Sequence, residues 1–404
     1  MPFLPAFDSR RKTRKKKLPA RFLTGFISGK FLFFASRPLA WFFVLSAVFL
    51  SGCATIETFD FGEPKPVSGA APEGIPYRDY QGVMHVHSRY SLTSKGRFDE
   101  IARAAVKTHT DFVVVADHNT LRGLKEKMEG FYGAVLILIG TELTTPDGHL
   151  LALGIEEEAD PRDDLSGILD RIERAGGVSF VAHGELPGKS WTDWSLAPLT
   201  GMEIYTLADD YCRPWKMTLT MKLLFLSPRA FFDSIGEKPD DLLRRWDTLL
   251  ETRTMVGIGS ADAHQKWRLF GKPVDGYAPV FSAVQTHVWA RELSKPAIIE
   301  ALKEGRAYVT IGASAPSVRN FSFAAETPQE RIFMGSHGIY EKGTVLKVDS
   351  PEPGEIRILR NGRLLSRETG RYTELEIPAA GVYRVEVYRK KKLWILSNPI
   401  YLSD

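Results

Sequence analysis

An α/β fold, with a mainly parallel sheet closed or nearly closed into a barrel and a small all-β domain behind it, is predicted by three features of this 404-residue sequence. From Tyr80 onward short apolar runs alternate with amphipathic segments, the rhythm of strands joined by helices. Ligand-type side chains follow the apolar runs: His85 and His87, His118, Glu142, His183, then Asp262 and His264. In parallel barrels active groups gather at the C-terminal ends of the strands, so this spacing favours one barrel with one site. Beyond Ile311 the period drops to two, the mark of half-buried strands.

Residues 1–53 read as an export signal. They open with the basic run Arg10-Arg-Lys-Thr-Arg-Lys-Lys-Lys17 and continue to the apolar core Leu39–Leu50. Twelve residues are too few for a membrane span, which needs about 20, and suit a signal-peptide core. The core ends in Leu50-Ser-Gly-Cys53, which resembles a bacterial lipobox and makes Cys53 the candidate lipidation site. An uncleaved anchor helix is the competing reading. The chain is therefore expected outside the cytoplasm, as a cell-envelope lipoprotein held on the membrane by its acyl chains, on the periplasmic side. Residues 54–78, rich in Gly, Pro, Ala and Glu, read as a tether. The leader up to Gly52 holds ten Lys or Arg against one acid, +9 of a total +4, so the rest of the chain carries −5. The mature chain has no basic footprint for nucleic acid. Two cysteines, Cys53 and Cys212, are too few for a disulfide framework.

In the folded part, 82–87 and 111–116 read as strands with a helix over 98–108 between them. Further strands are expected at 135–139, 178–182 and 255–258, with a helix over 165–175. Residues 206–250 interrupt the alternation with a largely helical insert, which could cover the site or simply pack on the surface. Near the C-terminus, Asn361-Gly362 between apolar runs signals a hairpin, and Gly381–Val387 alternates strictly. The boundaries this gives are 79–314 for the barrel and 315–404 for a small β-sandwich.

Six of the nine histidines occupy these strand-end positions: His85, His87, His118, His149, His183 and His264. A lone histidine at a strand end is usually a structural residue. Six, interleaved with Glu142 and Asp262, are not so explained, because burying so many ionisable groups without a cation is costly. Imidazole mixed with carboxylate suits Zn, Mn or Fe. His109, His287 and His337 lie outside the pattern. Arg306 is a candidate anion clamp, with a solvated arginine as the plain alternative.

The set His85-x-His87, Asp117-His118, Glu142 with Gly148-His149, Ala182-His183 and Asp262-x-His264 resembles the PHP (polymerase and histidinol phosphatase) family over about residues 80–312. Gly305-Arg-Ala-Tyr-Val-Thr310 and the Trp394–Tyr401 ending look like a branch that includes carbamate hydrolases. The resemblance implies a distorted seven-stranded β/α barrel and two or three divalent metal ions. One would take His85, His87, Glu142 and Asp262; a second would share Glu142 and add His149 and His183; a third would use His118, His264 and one more residue. Family members often place an Asp or His a few residues after HxH, where this chain has Lys95, which cannot ligate while protonated. The implied chemistry is hydrolysis by a hydroxide activated between cations, with Asp262 taking the proton and His264 and Arg306 assisting. Phosphoester substrates come first, with ester, amide or carbamate hydrolysis as the alternative. A lipoprotein that binds metal or a small-molecule ligand without turnover is the third reading.

Overall fold

The structure, a computed structural model, describes residues 76–207, 226–227, 230–231, 234, 237–266, 268–269, 272–273, 275–312 and 318–404. The leader, Cys53, most of the tether, Cys212 and much of the 206–250 insert lie outside the described residues.

Seven strands close a barrel: β1 (Arg78–Val86), β2 (Phe112–His118), β4 (Val135–Thr145), β5 (Gly148–Leu153), β6 (Val178–Ala182), β7 (Gly201–Thr206) and β8 (Val256–Ala263), with the short β3 (Gly130–Tyr132) beside β4. Neighbours run parallel around the ring from β6 through β7, β8, β1 and β2 to β4. β5 alone is antiparallel to both its neighbours. The expected strand–helix alternation thus has one hairpin in it, because Asp147-Gly148 turns the chain at once with no room for a helix. Gly148 has φ +123°, and a Cβ there would press to 3.1 Å from Trp191. As a result the start of β5 lies at the same rim as the ends of the parallel strands.

The barrel strands are almost continuously buried, as expected of strands covered on both faces. Helices α1 (Phe98–Lys107), α2 (Arg122–Lys125), α3 (Leu165–Arg174), α4 (Asp240–Leu250), α5 (Tyr277–Phe281) and α6 (Lys295–Lys303) carry the connections. α1 buries Phe98, Ile101, Ala102 and Ala105, one stripe at helical spacing, and the Glu100 carboxylate accepts from the Arg97 N–H to close its first turn. Asp164 caps α3 and Ser294 caps α6, each accepting from a backbone N–H three residues on.

A two-residue ribbon pairs β9 (Arg268–Leu269) with β10 (Lys272–Pro273). Then β11 (Val284–Ala290) runs antiparallel to the first half of β1, while β8 holds its second half. From β11 the sheet continues to β12 (Ala307–Ile311) and crosses into the C-terminal strands through β19 (Lys392–Ser397). Those strands are β13 (Ser322–Glu326), β14 (Arg331–Phe333), β15 (His337–Ile339), β16 (Val345–Arg360), β17 (Arg363–Glu376), β18 (Gly381–Arg389) and β20 (Ile400–Ser403). All their pairings are antiparallel except β15 with β20. They enclose a core of Phe321, Phe323, Leu346, Val348, Ile356, Val385 and Ile395, which also takes in Trp289 from β11 and Tyr308 from β12. The C-terminal part is all-β as expected. Its sheet is continuous with the strands that flank the barrel, because β12 pairs with β11 on one edge and β19 on the other.

Candidate metal centre

The sequence brings its polar residues to one rim by local backbone distortion as well as by strand order. His85, His183 and Asp262 have φ of 62°, 32° and 42°, in the left-handed region that side chains other than glycine seldom adopt. The register of β1 shifts between Val83 and Val86 against β2, and between Met84 and Val86 against β8. His85 thus sits in a bulge, a device that re-aims a side chain beside a site. The two rings of the HxH pair lie 5.0 Å apart, both fully buried.

At the middle is Glu142, also fully buried. Its Oε1 lies 2.5 Å from His149 Nδ1 and 2.9 Å from His183 Nε2. Its Oε2 lies 2.8 Å from His118 Nδ1, 3.2 Å from His85 Nε2 and 3.3 Å from His87 Nε2. Asp262 Oδ1 approaches the same two nitrogens, 3.6 Å from His85 and 3.1 Å from His87. His264 stacks on His87 with centroids 4.2 Å apart, and its Nδ1–H donates to the Asp262 carbonyl at 2.9 Å.

Five imidazoles around one carboxylate are more than two oxygens can serve by hydrogen bonding, and the remainder is visible. His85 Nε2, His118 Nδ1 and Glu142 Oε2 are buried without a hydrogen-bond partner although they converge. Two ligands about 2.1 Å from one cation stand roughly 3.0–3.4 Å apart for coordination angles between octahedral and tetrahedral. The His85, His87, Glu142 and Asp262 separations cluster about that range. Three groups have donor atoms all within 4.8 Å of one another: His85 with His87 and Glu142, His118 with Glu142 and His149, and His87 with His118 and His264. These His/Glu clusters could hold divalent metal ions.

The surrounding charges favour a cation. Burial, the largest influence on His85, would lower its pKa, yet Glu142, Glu203 and Asp262 together hold it well above the usual imidazole value. Burial likewise works to raise Glu142 and Asp262, and the imidazoles around them overrule it and keep both carboxyls well below the carboxylate range. His264, where burial prevails, is pushed down to about 4 and is neutral at neutral pH.

No protein-family model matches the chain. An uncharacterized protein of Methanocaldococcus jannaschii is 28% identical over 116 residues, which cover 26% of this chain and 67% of that protein. Among solved structures, a two-domain Bacteroides vulgatus protein containing a predicted PHP-like metal-dependent phosphoesterase is 14% identical. The match covers 84% of this chain and all of that one, with a TM-score of 0.40. An amidohydrolase from Chromobacterium violaceum, solved with sulfate and no metal, is 15% identical, over 45% of this chain and 87% of that one, with a TM-score of 0.26.

All eight residues expected as ligands (His85, His87, His118, Glu142, His149, His183, Asp262 and His264) meet at this rim. Arg306 does not. It lies before β12, at the end of the sheet where β1 begins. Its Nε–H donates to the Trp289 carbonyl at 3.1 Å, its guanidinium pairs with Glu300 and Glu304, and it covers the Tyr77 ring. The anion-clamp role is corrected on this ground: the arginine faces away from the metal ligands and is occupied in holding α6 to the sheet. Lys95 is exposed.

Two residues that sequence reading did not assign belong to the site. Glu203 on β7, fully buried, accepts from His85 Nδ1–H at 2.7 Å and from the His183 backbone N–H at 2.7 Å. It thereby fixes the His85 tautomer with Nε2 turned to Glu142 and Asp262. Asp117 accepts from the Ser88 and Ser91 backbone N–H groups and from both hydroxyls, and Ser91 Oγ in turn accepts from the His118 N–H and from His87 Nδ1–H. A lone acid inside the apolar run Met202-Glu-Ile-Tyr was the available signal for Glu203.

Proposed function

We propose that this chain is a metal-dependent phosphoesterase of the PHP type, working through a centre of two or more divalent cations (Mn, Fe or Zn). The observation that carries the reading is Glu142, whose two oxygens each face imidazoles, a bridging carboxylate in a buried, cation-attracting pocket. His85, His87, Glu142 and Asp262 would hold one ion, and Glu142, His149 and His183 a second. His118 and His264, with His87 beside them, offer a further position that does not depend on Lys95. Divalent cations held there would supply Lewis-acid activation of water and of the oxygen under attack.

The protein's own contribution is positional. Glu203 and Ser91 hold the two HxH rings with Nε2 inward, and Asp262 is kept anionic by the imidazoles around it, with Oδ1 turned to those two rings. His264, held through its Nδ1–H on the Asp262 carbonyl, leaves Nε2 free toward the cluster. The export and lipidation of Cys53 form part of the same proposal, supported by Leu50-Ser-Gly-Cys53 after a short apolar core.

The test is metal analysis of the purified protein together with hydrolysis of p-nitrophenyl phosphate mono- and diesters and an aryl carbamate. Glu142→Gln should lose bound metal, and Asp262→Asn should lose hydrolysis by about 10²–10⁴. Lys95→Asp should keep activity. Parent-like turnover by Asp262→Asn would refute the mechanism, and preference for the carbamate would move the substrate class.

A further inference from the structure

The hairpin joining β18 to β19 is built against its own stability. Its two-residue loop is Lys390-Lys391, with φ of 48° and 66°. Positive φ at both central residues defines the tight turn that favours Asn-Gly, and lysine is strained at either position. The flanking pair, Arg389 opposite Lys392, sets like charges directly across the strands, which also destabilises a sheet. Four consecutive cations thus crown the tip, with Lys390, Lys391 and Lys392 exposed. Arg389 lies over the Trp394 ring at 4.8 Å, giving the tip a rigid base.

The neighbouring strands extend the patch. At the level of the tip, Tyr388 is paired with Glu355, and Gly354 with Gly370 on β17, so Arg371 and Tyr372 lie two strands away, about 10 Å. Tyr372 is exposed, and Arg371 is exposed with Asp349 at 3.6 Å. Glu352 lies on β16, the strand between β17 and β18, Glu355 is paired with Arg357, and Glu374 accepts from the Tyr372 hydroxyl. Cations beside an exposed aromatic suit a surface of anionic lipid headgroups.

We propose that the Arg389–Lys392 tip docks on anionic phospholipid of the membrane that carries the chain's lipid anchor. The inference rests on the Cys53 reading, under which the chain is carried on a membrane. On an anchored chain a patch too weak to bind alone is effective, since the encounter is intramolecular. Docking then fixes which way the barrel rim faces.

The experiment uses the full chain in vesicles of phosphatidylglycerol or phosphatidylcholine, with mass spectrometry reading both Cys53 acylation and acetylation of lysines by a soluble reagent. Lys390–Lys392 should be labelled several-fold more slowly in phosphatidylglycerol, the protection should vanish in 1 M salt, and Lys303 should not respond. In variants of the pair the protection is read at Lys392: replacement by the turn-favoured Asn-Gly (Lys390→Asn with Lys391→Gly) should raise the melting temperature while the protection is lost. The double Arg variant should keep the protection. Equal labelling in both lipids, or protection unchanged by the Asn-Gly pair, overturns the proposal. An unacylated Cys53 with protection intact would overturn the anchor alone.

Discussion

Glu203 lies outside the ring of candidate metal ligands, yet it holds two of them, His85 and His183. Its Oε1 takes the His85 Nδ1–H and its Oε2 the backbone N–H of His183, so one carboxylate orients ligands from β1 and from the end of β6. Partners of this kind set the tautomer and basicity of a metal-binding imidazole, and removing them typically lowers metal affinity about 10–100-fold. Glu203→Gln should therefore retain the fold and weaken metal binding by that factor, measured by competition with a chelating dye. Unchanged affinity would mean that His85 is held well enough by packing alone. Seven of the eight candidate ligands were legible because each is a polar residue at or just past the end of an apolar run, and His149 because it follows a tight turn, contrasts a linear reading detects. Glu203 was not, because its value comes from facing His85 across the barrel, 118 positions away in the chain.

At the scale of elements, the join between α4 and the C-terminal sheet is ionic and buried. Arg384 of β18 meets Asp247 of α4 through two bonds, of 2.6 and 2.7 Å, and reaches Glu386 at 2.8 Å; Lys238 pairs with Glu386 at 3.0 Å. Burial, the largest influence on Glu386, would raise its pKa, but Arg384, the Tyr388 hydroxyl and Lys238 hold it below its usual value. Folded Glu386 thus takes up a proton less readily than unfolded Glu386. The stability it contributes is fully present above the unfolded carboxyl value, about 4.3, and is lost as the pH falls through the lower folded value. Arg384→Met leaves two acids facing one another with their main cation gone, and should cost about 3–5 kcal/mol at pH 7. Urea midpoints at pH 7 and pH 3.5 would check this: the parent should weaken on acidification, and the variant should weaken less. A pH response equal to the parent's would show that Glu386 does not carry it.

For the whole molecule, the question is whether the barrel stands without the strands that follow it. The sequence suggests a boundary near residue 315, since the period changes there. In the fold, β12 hydrogen-bonds to β19, and Trp289 and Tyr308 of the barrel side are buried in the C-terminal core. Truncation after Gly312 would bare that core face and an edge strand, so the shortened chain should aggregate rather than fold, as judged by size-exclusion chromatography and near-UV dichroism. A monomeric, cooperatively melting barrel would contradict this. Metal acts at the same scale. At a free concentration 100 times its Kd, an ion that binds only the folded chain adds about 2.7 kcal/mol. Exhaustive chelation should accordingly lower the melting temperature, and the Glu142→Gln variant should be indifferent to it.

The sequence by itself indicated an α/β fold and an all-β ending, because each is written in local periodicity, and it singled out eight candidate metal-binding residues, most of them polar groups at the ends of apolar runs. Tertiary structure alone decided the rest. It turned β5 antiparallel so that His149 starts at the rim, seated Glu203 behind His85, and sent Arg306 to the far end of the sheet. It also fused the C-terminal strands to the barrel through β12 and β19. The reason is common to all four. Periodicity reports which face of an element is buried, while strand direction, cross-barrel partners and sheet continuity depend on which distant segments pair, and no single stretch of chain records that choice.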